Sequence, residues 1–195
     1  MMTPKAFDRL AKELFAPVLG PLGFSCEKSD RCSFYRPLGN GLWHVIIPDL
    51  GSRGVWYDVK VFPSSEEIEV LFGEKFPDSL GIPTDSYCYL SERGIGVDQT
   101  QFNCKTEENC RARFQNTVKG LLTSIAVPYL DRFRSLGDVL PEIRNPLYRA
   151  IGEFRIKGLA ESRNMLLQQK DRLANAPSDP NVDAAKKLLE SLLAS

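Results

Sequence analysis

The chain has 195 residues, 43% of them hydrophobic and 26% charged, a composition that supports a buried core and excludes general disorder. Its 25 basic and 25 acidic side chains cancel, so no overall charge drives it toward nucleic acid or an anionic membrane. No run of about 18 apolar residues occurs and the opening residues mix charged with apolar positions, so neither a membrane span nor a secretory leader is expected, and a cytoplasmic protein is.

The first predicted element is a helix. Phe7, Leu10, Ala11, Leu14, Phe15, Val18, Leu19 and Leu22 recur at steps of three and one, which draws a single apolar stripe. Thr3 suits the N-cap and Pro4 the first helical position. Pro17 disfavours helical geometry at Ala16, so the helix is expected to end or kink there.

Short strands at hairpin spacing follow. "SFYRP" is one, and "LGNG" turns the chain into "LWHVIIP". There Trp43, Val45 and Ile47 share one face and Leu42, His44 and Ile46 the other. "LGSRG" turns again into "VWYDVKVF", with Val55, Tyr57, Val59 and Val61 opposite Trp56, Asp58, Lys60 and Phe62. "EIEVLFG" and "SYCYL" are further strand candidates. Sequential strands joined by short glycine turns predict an antiparallel meander, because parallel neighbours need long crossovers.

From Thr106 the period becomes helical. Thr106 is the expected cap, Glu107 and Glu108 sit where the helix dipole favours acids, and Cys110, Phe114, Val118, Leu121, Leu122 and Ile125 form the stripe. Pro128 is expected to follow the helix end. "PYLDRFRSLGDVLPEI" reads as short helices broken by Gly137 and Pro141. Asn145-Pro146 opens a helical segment to about Asn175, with a break near "IKG" because Gly152 and Gly158 each cost about 1 kcal/mol against alanine. "NAPSDPN" reads as a linker, and "VDAAKKLLESLL" as a terminal amphipathic helix. The fold class predicted is α+β: an N-terminal helix, an antiparallel meander and a packed helix over residues 1–143, then an all-helical extension over 144–195.

The residues that suggest chemistry are few. Asp49, then Asp58 and Lys60 two apart on a strand, form the skeleton of a metal-dependent nuclease site resembling the PD-(D/E)xK enzymes, with Glu13 of the first helix as a fourth member. Acidic oxygens would hold a divalent cation and the lysine would orient the attacking water. Polar residues at i and i+2 are also what any half-solvated strand displays, and residues 1–100 carry ten Lys/Arg against fourteen Asp/Glu, a balance that repels phosphate. His44 is the single histidine, and no nucleophile motif accompanies it. Cys26 and Cys32, like Cys104 and Cys110, have five residues between them, looser than structural zinc sites use, so the five cysteines are read as reduced thiols and no metal or cofactor is expected.

Non-enzymatic binding is therefore the leading expectation. Trp43 and Trp56 with the acidic Glu66, Glu67 and Glu69 make a candidate docking face for a protein partner. Residues 101–195 hold fifteen Lys/Arg against eleven Asp/Glu, and Arg149, Arg155, Lys157 and Arg163 give the helical tail a basic character that RNA or an acidic protein could use. Acids interrupt that run, so nucleic acid is not the favoured partner.

"AFDRLAKELFAPVLGPLGF", then "SFYRP", then a hairpin ending "WYDVKVFP", and later "PYLDRFRSL", together resemble the bacterial domain of unknown function 4304 family over about residues 6–143. The resemblance implies an α+β fold with an antiparallel sheet and supplies no activity or catalytic residues. It also implies that Asp58 and Lys60 lie on an ordinary strand. Small bacterial α+β domains include immunity proteins that inhibit a toxin by surface complementarity, and fold-level analogy makes such a role the expectation here.

Overall fold

The computed structural model describes residues 1–26, 32–39, 41–65, 88–89, 102–143, 145–177 and 180–195. They form an α+β protein, a helix followed by an antiparallel sheet and then helices, and they divide into two compact units. One holds residues 1–63 and 87–134, the other residues 64–86 and 135–195.

The first unit begins with α1 (Pro4–Leu19). Thr3 caps it through Oγ1, which accepts from the Ala6 amide at 3.3 Å. Phe7, Leu10, Ala11, Leu14, Phe15 and Leu19 turn inward, as their spacing predicts. The helix does not end at Ala16, and Pro17 lies inside it. So close to the end its ring removes one hydrogen bond, while Leu19, fully buried beyond it, gains a core position that offsets the loss.

The sheet runs in the order β1 (Ser25–Cys26), β2 (Phe34–Pro37), β3 (Leu42–Leu50), β4 (Trp56–Ser65), β5 (Cys88–Tyr89), and β6 (Phe102–Asn103) also pairs with β4. Phe34 lies opposite Ile46, Tyr35 opposite Val45 and Arg36 opposite His44. β5 meets β4 at Lys60 and Val61, and β6 meets it at Trp56 and Tyr57. The faces alternate as the sequence predicts. Phe34, Ile46, Tyr57, Val59 and Val61 join α1 in the core, while Val45, Ile47 and Phe62 pack together on the other face. Gly51 at the β3–β4 turn has no room for a side chain, since a Cβ would fall 2.3 Å from the Trp56 indole. "EIEVLFG" lies outside the described residues, and β6 is too short to have shown a period.

The second long helix, α2 (107–130), is where the sequence reading falls short. Thr106 caps it as expected, accepting from the Asn109 amide at 3.1 Å. Its most deeply buried positions, each 2% exposed or less, are Cys110, Phe114, Val118, Leu122, Ala126 and Leu130, a repeat of four beside which Val127 also reaches the core. In a regular helix of 3.6 residues per turn such a repeat drifts about 40° per step, or about 200° from first to last, and would carry Leu130 away from the core. Two π-helical turns, Phe114–Val118 and Leu122–Ala126, each absorb one extra residue and return the stripe to one face. The second opens the hydrogen-bond ladder just before Pro128, so the helix continues through this proline to Leu130 and does not stop ahead of it.

In the second unit, α3 (Leu136–Val139) starts at a capping box in which Ser135 Oγ and the Asp138 carboxylate each accept the other's backbone N–H, at 3.3 and 2.9 Å. A 3-10 turn (Leu140–Glu142) follows, then α4 (Pro146–Lys157), α5 (Leu159–Ala174) and α6 (Pro180–Ala194), with α4 and α6 both packed on α5. Asn145 caps α4, accepting from the Leu147 amide at 3.0 Å. The break near "IKG" falls at Gly158, whose φ of +77° favours glycine. The units divide at 134/135, ahead of the 143/144 boundary read from the sequence. Leu140 sits against Gly152, so close that a Cβ there would meet its Cδ2 at 2.4 Å, and this contact ties residues near 140 to α4.

Candidate functional site

The four residues of the nuclease reading do not form one cluster. Lys60 Nζ sits 2.7 Å from Asp49 Oδ2 on the sheet face opposite α1, so the lysine assigned to water activation neutralises one of the proposed metal ligands. Asp58 shares that face but is buried, and its Oδ1 accepts from the adjacent Val59 amide at 2.7 Å. Glu13 is elsewhere. On α1 it takes a bidentate pair from Arg111 of α2, at 2.7 and 2.8 Å, and this guanidinium holds the Glu13 carboxyl below the usual carboxylate range. Among the described residues no three His, Cys, Asp or Glu side chains converge to hold a metal ion.

The aromatic residues named for docking are half-buried. Trp43 packs edge-on against Tyr35, ring centres 6.4 Å apart, and Trp56 covers Gly51. Glu66, Glu67 and Glu69 lie outside the described residues. Arg149, Arg155, Lys157 and Arg163 are exposed. Lys157 pairs with Glu153 at 2.5 Å and Arg155 lies over the Phe154 ring at 6.0 Å. The break at Gly158 places Glu161 and Arg163 on the next helix, apart from Arg149, Arg155 and Lys157.

His44, itself buried, belongs to a polar network that sequence reasoning missed. Arg36, directly opposite on β2, approaches His44 Nδ1 with Nη2 at 2.7 Å and also pairs with Asp131 beyond the end of α2. A guanidinium has only donors, so Nδ1 accepts, the imidazole is neutral, and Nε2–H donates to the Phe133 carbonyl at 2.7 Å. Burial is the largest influence on His44 and draws its pKa below 6.5. Arg36 further donates to the Leu22 carbonyl at 3.4 Å and lies over the Phe24 ring at 4.7 Å. These bonds join the β2–β3 hairpin to the segment after α2, so the network is a clasp between them.

A cleft among the described residues lies at the other end of α2. It is open, holds about 400 Å³ and is lined by Asn103 of β6 and by Asn109, Ala112, Arg113 and Asn116 of α2. Asn116 is carried by the first π-helical turn. Asn103 Oδ1 accepts from the Lys105 amide at 3.0 Å, which fixes its carboxamide, and Arg113 rests over the Phe102 ring at 5.9 Å. Three asparagines, an alanine and an arginine therefore border one open cleft, and the surface they show it is mostly apolar. The four-residue repeat signals the π-helical turn that carries Asn116, but no pattern in the sequence marks the other cleft residues.

No family model, curated protein or solved structure matches the chain. Among the described residues no helix is long and apolar enough to cross a membrane.

Proposed function

We propose that the protein is a non-enzymatic, cytoplasmic protein-binding module, an immunity-type inhibitor that holds a toxin by surface complementarity. The observation that carries this reading is the open cleft beside the first π-helical turn of α2, bordered by Asn103, Asn109, Ala112, Arg113 and Asn116. Carboxamides present paired donors and acceptors that match a peptide main chain, and the fork of a guanidinium matches a carboxylate. Arginine is also one of the side chains that dominate interface energies. Among the described residues the lining supplies no nucleophile and no base that titrates near neutral pH, so the chemistry these residues support is holding a partner's segment.

The test is affinity capture on the immobilised full-length chain from a lysate of the source organism, with Arg113→Ala and Asn116→Ala in parallel. One protein is expected on the wild type and on neither variant, and producing it alone should arrest growth unless the wild-type chain is co-produced. A protein retained equally by both variants, or none retained by the wild type, overturns the reading.

A further inference from the structure

We propose that Cys26 and Cys32 form a reversible dithiol/disulfide modification site, oxidised by a low-molecular-weight disulfide. Their sulfurs lie 3.9 Å apart in mutual hydrogen-bond contact. A disulfide places them about 2.05 Å apart, so closure needs a movement of about 1.9 Å. Cys26 ends β1, in register with Phe34, and Cys32 stands two residues ahead of β2. Backbone position on both sides is fixed: β1 is held by the sheet, and the Cys32 amide donates to Asp8 Oδ1 of α1 at 3.2 Å. The pair is thus held close by the fold on either side.

The two thiols differ in a way that orders the chemistry. Cys26 is half-buried and reachable, whereas Cys32 is only 4% exposed. Burial pushes the Cys32 thiol well above its ordinary range. Cys26 is therefore the attacking sulfur. Its thiolate forms a bond to one sulfur of the small disulfide, the S–S bond of that reagent breaks, and one thiolate leaves and takes up the Cys26 proton. Cys32 then attacks the Cys26 sulfur of the mixed disulfide, and the second small thiol departs with the Cys32 proton. Two protein thiols are oxidised and one reagent disulfide is reduced to two thiols. Cys104 and Cys110 make the contrast: they are 0% and 2% exposed, with thiols pushed up to about 11 and about 12 by burial.

The experiment treats the native full-length chain with oxidised glutathione and follows intact mass and disulfide-linked peptides. Wild type is expected to lose two hydrogens, to retain no glutathione, and to yield a peptide pair linking Cys26 to Cys32, all reversed by a reductant. Cys32→Ser should keep one glutathione on Cys26, and Cys26→Ser should neither close nor take up glutathione at Cys32. A wild-type chain that stays unmodified or keeps the adduct overturns the proposal. So does a linked pair other than Cys26 with Cys32, or a Cys26→Ser chain that forms a disulfide at the wild-type rate.

Discussion

His44 is held neutral by its surroundings, and that has a measurable sign. Its pKa in the folded chain lies below 6.5, because burial penalises the charged ring and Arg36 stands beside it. In the unfolded chain it titrates near 6.5. Between the two values the unfolded state binds more protons, so the stabilisation is complete above 6.5 and is lost as pH falls through the folded value. Denaturant midpoints measured from pH about 7.5 down to about 5 should fall more steeply for the wild type than for His44→Gln. Equal slopes would refute this. Arg36→Ala removes the donor to His44 Nδ1, to Asp131 and to the Leu22 carbonyl together, and an unfolding titration should show a loss of about 2 kcal/mol. An unchanged midpoint would mean that the clasp is not stabilising. The sequence placed His44 correctly on the face of Leu42 and Ile46, but its partners come from a neighbouring strand and from the far end of α2. Strand register decides the first and tertiary packing the second, and neither is encoded in residues near His44.

At the scale of elements, local chemistry was legible wherever a side chain acts on its own turn. Thr3, Thr106 and Asn145 cap helices as their positions predict, and Gly158 breaks one. The prolines misled, because both Pro17 and Pro128 sit inside helices whose apolar residues beyond them, Leu19 and Leu130, are fully buried. Helix α2 carries the deeper lesson. Its core residues repeat every four positions, and a reading fitted to 3.6 included the half-buried Leu121 and Ile125 in the stripe and missed Ala126 and Leu130. Counting the repeat, and not only its polarity, would have called for two extra residues. A π-helical turn is a one-residue insertion, so removing the exposed Gln115 should convert the first one into α-helix while Phe114 and Val118 still face the core. An alanine inserted after Gln115 instead rotates everything beyond it by about 100°. Circular dichroism and urea unfolding should find the deletion folded and cooperative and the insertion destabilised. The opposite order would refute the account of α2.

For the whole molecule, the α+β class with its antiparallel meander was legible from the alternation of strands and the two helical stripes, because those periods reflect burial directly. The division of the chain was less so. Residues 135–143 belong with the terminal helices through the contact of Leu140 with Gly152, a fit of shapes that composition does not record. The candidate site was the least legible part. Asp49, Asp58 and Lys60 drew attention because they match a pattern, yet the fold pairs Lys60 with Asp49 and seats Asp58 against its own backbone. The cleft residues match no pattern at all. Asn103 arrives from a two-residue strand, and Asn116 is aimed by a π-helical turn. The proposed function makes them a surface for holding a partner, and its most direct test is the affinity of the captured partner measured by calorimetry against the wild type, Arg113→Ala and the Gln115 deletion. Both variants should fold and bind at least about tenfold more weakly, the loss expected when an interface anchor worth more than about 1.4 kcal/mol is removed; folded variants with wild-type affinity would contradict the claim that this cleft is where the protein works.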